Sequence, residues 1–311
     1  MKDRFRTYQY FILGSLGGLA GWFIPTMLLR NMGEPPSVRN QAGYGILLGA
    51  MIGLCIAARE GLTTGSLRRL IRYGSVSLVC GAAAGAIALP LAQAIYASLL
   101  GASAGNAPLR SFLIGALCWV LLGCLIGLGE TINKGTQSWK GLLGGAIGGL
   151  IGGMICETSR IVSHGNATAS GQRLLAVSLM LLGGATGASI AFVTTMLKRA
   201  WLEVADGKLA GRVFDVTKFV ASSSGKSPSG MIGSDEWSCQ VYLPGANFVL
   251  PHHATIGLVN GFPTLTVTPE ARKQGATLVN GEPATNCGLR DGDRLRIGTV
   301  ELLYRQKRRA G

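Results

Sequence analysis

The chain has 311 residues, 48% of them hydrophobic and only 14% charged, with 47 glycines and a mean hydropathy of +0.36. That balance favours a membrane protein over a soluble one, and glycines set inside apolar runs exclude both a collagen-like repeat and a flexible linker. The formal charge of +14 is not a nucleic-acid signature, because the basic residues stand in short clusters at the ends of apolar segments, where membrane proteins need them for orientation.

Six apolar segments follow in chain order, approximately Gln9 to Leu29, Gly43 to Ala58, Ser75 to Leu99, Ser111 to Thr131, Gly141 to Glu157 and Leu174 to Leu197. Each is read as a transmembrane helix, since only an internally hydrogen-bonded backbone is tolerated in hydrocarbon. The second and fifth are short, so a re-entrant path remains open for either. The first contains Pro25 and reads as a retained helix rather than a cleaved leader. Lys2, Arg4, Arg6, Arg59, Arg68, Arg69, Arg72, Lys134, Lys140, Lys198 and Arg199 fall on one side, against Arg30, Arg39, Arg110, Arg160 and Arg173 on the other. This bias predicts that both termini are cytoplasmic, as in a bacterial inner-membrane protein.

Glycines at four-residue spacing, Gly14 and Gly18 in the first segment and Gly141, Gly145 and Gly149 in the fifth, predict close helix packing, either within one bundle or in a homo-oligomer. Leu47-Leu48-Gly49, Leu121-Leu122-Gly123 and Leu181-Leu182-Gly183 recur in three segments. They read either as duplicated helical hairpins or as a product of the biased composition. Glu130, Glu157 and the Arg59-Glu60 pair fall at predicted helix ends, so no ionisable group marks a transport path at mid-depth. The seven cysteines have no metal-ligand spacing, and no metal or other cofactor is expected. Asn166-Ala167-Thr168 fits a glycosylation sequon but is too short a pattern to argue from.

After Lys198-Arg199 the long apolar runs stop. The domain boundary is therefore placed between residues 1–199, the membrane part, and 200–311. Strand candidates are Trp201 to Val204, Arg212 to Val216, Gln240 to Leu243, Ala254 to Val259, Thr264 to Val267, Ala276 to Val279 and Arg294 to Tyr304. Turns are marked by Asp206-Gly207, Asn260-Gly261, Asn280-Gly281 and Asp291-Gly292, which together predict an all-β sandwich.

The order of these elements carries a resemblance. "WLEVADGKLAGRVFDV" looks like an opening hairpin, and "MIGSDEWSCQVYLPG" like a glycine-marked strand and its sequel. "LPHHATI" supplies a histidine loop, "QGATLVNGEPA" a late Asn-Gly hairpin and "GLRDGDRLRIGTVELLY" a closing pair. In this order they resemble a forkhead-associated (FHA) domain over Trp201 to Gln306. The resemblance implies a signalling module that recognises phosphothreonine peptides through loops at one end of the sandwich, with a fixed guanidinium and hydroxyl or amide donors on the phosphate.

The site positions depart from the family pattern. Ser234 stands where the family has Arg, Leu250 where it has Ser, and Gln274 where it has Asn. Gly233, His253, Gly275, Asn280 and Gly281 match it, and His253 is implied to brace the loops. Without the bidentate Arg, phosphate loses both charge and geometry. Lys218, Lys226, His252, Arg272 and Lys273 are candidate substitutes that no motif places in the site. "SSSGKSPSG" from Ser222 to Gly230 reads as a polar surface loop or a contact loop, and the terminal "RQKRRAG" as a solvated or lipid-touching tail.

The chain shows no paired carboxylates, Ser-His-Asp order, Cys-His pair or P-loop, and no enzyme is expected. The leading expectation is a membrane-anchored adaptor that docks a cytoplasmic or membrane protein partner without phosphothreonine and without nucleic acid. Two alternatives stand beside it: a channel or transporter component regulated by the sandwich, and a phosphothreonine receptor.

Overall fold

The computed structural model describes residues 2–29, 38–100, 107–133, 137–162, 169–206, 209–220 and 228–307. The Asn166 sequon, Lys134, Arg30, Gly207, most of the Ser222–Gly230 loop and the terminal residues 308–311 lie outside them. The chain divides into two compact units, with Met196 the last residue of the first and Leu197 to Gly311 in the second.

The first unit is six helices: α1 (Lys2–Leu29), α2 (Val38–Thr64), α3 (Leu67–Leu100), α4 (Ala107–Asn133), α5 (Ser138–Val162) and α6 (Ala169–Met196). All six are long and apolar enough to cross a membrane. Each outruns its apolar segment, because the helical hydrogen-bond ladder continues into charged flanks where hydropathy has already fallen. The segments suspected of re-entering, α2 and α5, are 27 and 25 residues long. At about 1.5 Å of rise per residue each exceeds the roughly 30 Å hydrocarbon core.

The helices form a closed ring, each packed on the next in sequence and α6 packed on α1. Glycine explains how the backbones come so close. A Cβ on Gly49 would fall on the Gly81 carbonyl and one on Gly81 on the Gly49 carbonyl. The same reciprocal contact recurs between Gly123 and Gly145, and between Gly183 and Gly14. The α2–α3, α4–α5 and α6–α1 contacts are therefore equivalent, and the three Leu-Leu-Gly motifs sit at matching places in an internal threefold repeat. One turn away, Gly18 lies against the Leu179 carbonyl, Gly141 against that of Gly127, and Gly149 against that of Trp119. The spaced glycines are spent on contacts inside the ring.

The repeat also fixes what fills the interior. Leu48, Leu122 and Leu182, the second leucine of each motif, are fully buried, as are Ile52, Ile126 and Thr186 one turn further on. The next turn brings Ile56, Ile190 and, in the second repeat, Glu130, all buried. The Tyr10 hydroxyl crosses from α1, which is not a neighbour of α4 in the ring, and donates to Glu130 Oε1 at 2.6 Å. The Arg59 guanidinium stands 5.1 Å over the Tyr10 ring and donates through Nε to Gln9 Oε1 at 3.0 Å. Glu157 accepts from Trp119 Nε1 at 3.1 Å and Arg160 Nε at 2.8 Å. Both acids lie in the helix ends, as the sequence indicates, but their side chains are buried within the bundle.

The second unit is a β-sandwich. One sheet has the order β2 (Val213–Asp215), β1 (Ala200–Val204), β11 (Val300–Gln306), β10 (Arg294–Ile297), β7 (Thr277–Val279), β8 (Glu282–Pro283). The other has β4 (Val241–Tyr242), β3 (Gly230–Gly233), β5 (Ala254–Val259), β6 (Phe262–Val267), β9 (Asn286–Gly288). Alternation along the strands turns Leu202, Val204, Ile232, Ile256, Leu295, Leu302 and Tyr304 into one shared core. The single strand expected from Arg294 to Tyr304 is two, because Gly298 takes φ +57 and folds β10 back on β11. Two short helices, α7 (Thr217–Val220) and α8 (Pro269–Gln274), were not legible as strands or turns.

Candidate functional site

The loops after β3, between β4 and β5, and from β6 through α8 to β7 are tied together by backbone. Ser234 N–H donates to the Leu250 carbonyl at 3.0 Å and Asp235 N–H to the Pro251 carbonyl at 3.2 Å. A Cβ on Gly233 would land on the Pro251 carbonyl, so only glycine lets the two loops cross here. Gly275 ends α8 in the left-handed conformation, φ +63.

His253 is fully buried at the centre of this arrangement. Its Nδ1 accepts the Leu250 N–H at 3.2 Å, so Nε2 carries the proton and donates to Thr277 Oγ1 at 2.8 Å. Burial holds its pKa below the ordinary histidine value, which keeps the ring neutral. The Asn280-Gly281 turn is a type I′ hairpin, with φ +53 and +90. Asn280 Nδ2 also donates to Asp293 Oδ1 at 2.9 Å, and its Oδ1 accepts Arg294 N–H at 2.9 Å, fastening the hairpin to β10.

The three departures have specific surroundings. Ser234 Oγ donates to the Val249 carbonyl at 3.1 Å and is occupied there. Leu250 packs on the apolar cluster of Val267, Ala271 and Ala284 beneath α8, a task no serine could share. Gln274 closes α8 and is exposed. Of the candidate cations, Lys218 lies on α7, Lys226 falls outside the described residues, and Arg272 Nη2 reaches the Thr285 carbonyl at 3.5 Å. Lys273 is exposed on α8.

The structure adds a cluster that sequence reading missed. The Asp235 carboxylate caps its own turn, accepting Trp237 N–H at 3.3 Å and Ser238 N–H at 3.0 Å, and it also accepts the Ser238 hydroxyl. The Ser238 hydroxyl and then the Trp237 N–H hold the Asp235 pKa below the usual carboxylate range. His252 Nε2 lies 2.6 Å from Ser238 Oγ and 3.6 Å from Asp235 Oδ2. A catalytic triad would need the carboxylate on the opposite ring nitrogen. Here the acid and the imidazole compete for one hydroxyl, an arrangement that does not activate Ser238. Asp three residues before Ser is the turn-capping pattern that would have signalled this cluster.

Compared with known proteins, residues 230–298 match the family model of the FHA domain. The chain carries a C-terminal FHA domain. The FHA fold extends past the matched stretch, because β1 pairs with β11 along Ala200 to Val204 and with β2 on its other side. Among solved structures, a chain from a study of phosphothreonine-dependent FHA domain interactions is 24% identical, over 35% of this chain and 98% of its own, with a TM-score of 0.28. The FHA domain of an Arabidopsis thaliana hypothetical protein is 17% identical, over 37% and 90%, with a TM-score of 0.30. Mycobacterium tuberculosis EmbR, solved with a low-affinity phosphopeptide, is 14% identical, over 98% of this chain and 73% of its own, with a TM-score of 0.28. No curated protein matches the chain.

Proposed function

We propose that this multi-pass membrane protein is a docking adaptor, whose FHA domain binds a protein partner on the cytoplasmic side without requiring phosphothreonine. The observation that carries this reading is the use made of the site positions. Ser234 supplies no guanidinium, and its hydroxyl is engaged by the Val249 carbonyl. Leu250 supplies no donor and packs under α8 instead. A phosphate needs charge-assisted donors that converge on its oxygens, and at these positions there are none. Gly233, His253, Gly275, Asn280 and Gly281 then act as the frame that keeps the loops in place, and the basic excess on the N-terminal side of the membrane supports cytoplasmic termini. The layers of Leu48, Leu122 and Leu182 and of Ile52 and Ile126 that fill the ring favour an anchor over a conduit.

The test is calorimetric titration of the full chain in lipid nanodiscs with phosphothreonine peptide pools and their unphosphorylated counterparts. The adaptor reading expects no gain in affinity from the phosphate. Micromolar binding that depends on phosphate would overturn it and make the protein a phosphothreonine receptor.

A further inference from the structure

The loop end at which Ser234 and Leu250 offer a phosphate no charged donor presents a different chemistry. Trp237, in the loop after β3, and Phe248, in the β4–β5 loop, are 57% and 72% exposed, unlike the apolar side chains that close the sandwich core beneath them. Phe248 is held at φ +62, a conformation that bulky side chains seldom adopt, so the fold spends backbone energy to keep this aromatic outside. The two loops are pinned to each other by the Ser234 contacts to Val249 and Leu250, by Asp235 N–H on the Pro251 carbonyl, and by Cys239 Sγ on the same carbonyl at 3.1 Å. Asp235 lies on the same turn as Trp237, and its carboxylate remains partly exposed.

We propose that Asp235, Trp237 and Phe248 form a receptor for a cationic side chain, an arginine or lysine of an unphosphorylated protein segment. A carboxylate on the same turn as one exposed aromatic residue, with a second on the loop pinned to that turn, can attract an ammonium or guanidinium through charge and through the ring faces. The same carboxylate repels a phosphate dianion approaching the position where the family places its arginine. Charged groups beside it are Glu236 on the same turn and His252 across the loop, with Nε2 3.6 Å from Asp235 Oδ2. His252 is already engaged with Ser238 and Asp235, and Arg272 reaches toward the Thr285 carbonyl. This inference rests on the phosphate-independent reading of the same end of the domain and names the chemistry of its ligand.

The experiment overlays the full chain, in nanodiscs, on arrays of degenerate peptides that share one fixed residue: Arg, Lys, Thr, phosphothreonine or Glu. Arg and Lys spots should retain the protein about tenfold better than Thr or phosphothreonine spots. Asp235→Asn keeps a turn-capping oxygen and should erase that preference, as should Trp237→Ala, with hydrogen exchange of β5 and β6 reporting that both variants stay folded. Binding without charge preference would sink the cation receptor and leave the adaptor reading intact, as would a failure to bind any spot. Selection of phosphothreonine spots would sink both.

Discussion

His253 Nε2 stands 2.8 Å from Thr277 Oγ1, joining the β4–β5 loop to the first residue of β7 through a neutral, fully buried ring. With Nδ1 taken by the Leu250 N–H, the ring has a partner on each nitrogen and no room for a second proton. His253→Ala leaves Leu250 N–H and Thr277 Oγ1 unpaired in the core. A loss of about 2–4 kcal/mol is expected for the FHA domain, read as faster hydrogen exchange in β5 and β7.

The same ring gives the domain a pH dependence with a definite sign. Its pKa is lowered on folding by burial. Above about pH 6.5 the histidine is neutral folded and unfolded, and stability is unaffected. As pH falls below that value the unfolded chain takes up a proton that the folded domain refuses, and stability declines until the folded pKa is reached. Exchange protection in β5 should therefore drop as pH falls below about 6.5 in the wild type. In the His253→Ala variant this decline should flatten, and an equal decline in both would show that other groups cause it.

Gly233→Ala places a methyl group on the Pro251 carbonyl, which two neighbouring loops hold fixed. A cost of about 2–3 kcal/mol is expected in the thermal unfolding of the FHA domain. Gly43→Ala, where a Cβ meets nothing within 4 Å, is the matched control in the helical unit and should be neutral or slightly stabilising there.

In the ring, Glu130 occupies the place that the other two repeats give to Ile56 and Ile190. Glu130→Ile alone removes the acceptor at 2.6 Å from the Tyr10 hydroxyl, and Tyr10→Phe alone removes that donor from the acid. The double variant restores an apolar layer. Thermal stability of the bundle in detergent should fall for each single change, and the double should lose less than the two singles combined, with a coupling of about 1–3 kcal/mol. Additive losses would show that the pair acts through groups other than each other.

Much of this architecture could be read from residue order. The spans came from apolar length, and the sandwich from its Asn-Gly and Asp-Gly turns, because both signals are local. The FHA order was carried by "DGDRLRIG", whose residues serve local hydrogen bonds: Asp293 Oδ2 accepts Arg290 N–H at 2.6 Å, and Gly292 takes φ +96. What stayed hidden depends on distant partners. Nothing near Leu250 in sequence announces Ala271 and Ala284, and nothing near Glu130 announces Tyr10. The Leu-Leu-Gly repeat was visible, but composition alone offered the same pattern until Gly49, Gly123 and Gly183 were each seen against a glycine carbonyl.

The contact of α6 with α1 joins the two helices of the ring that lie furthest apart along the chain. During synthesis Gly14 and Gly18 enter the membrane well before Gly183 and Leu179, the residues that cover them. For that interval the close-packing face of α1 is bare, and a chain arrested before α6 holds five helices in an open arc. The ring therefore closes late, only once α6 has joined the five helices that precede it here.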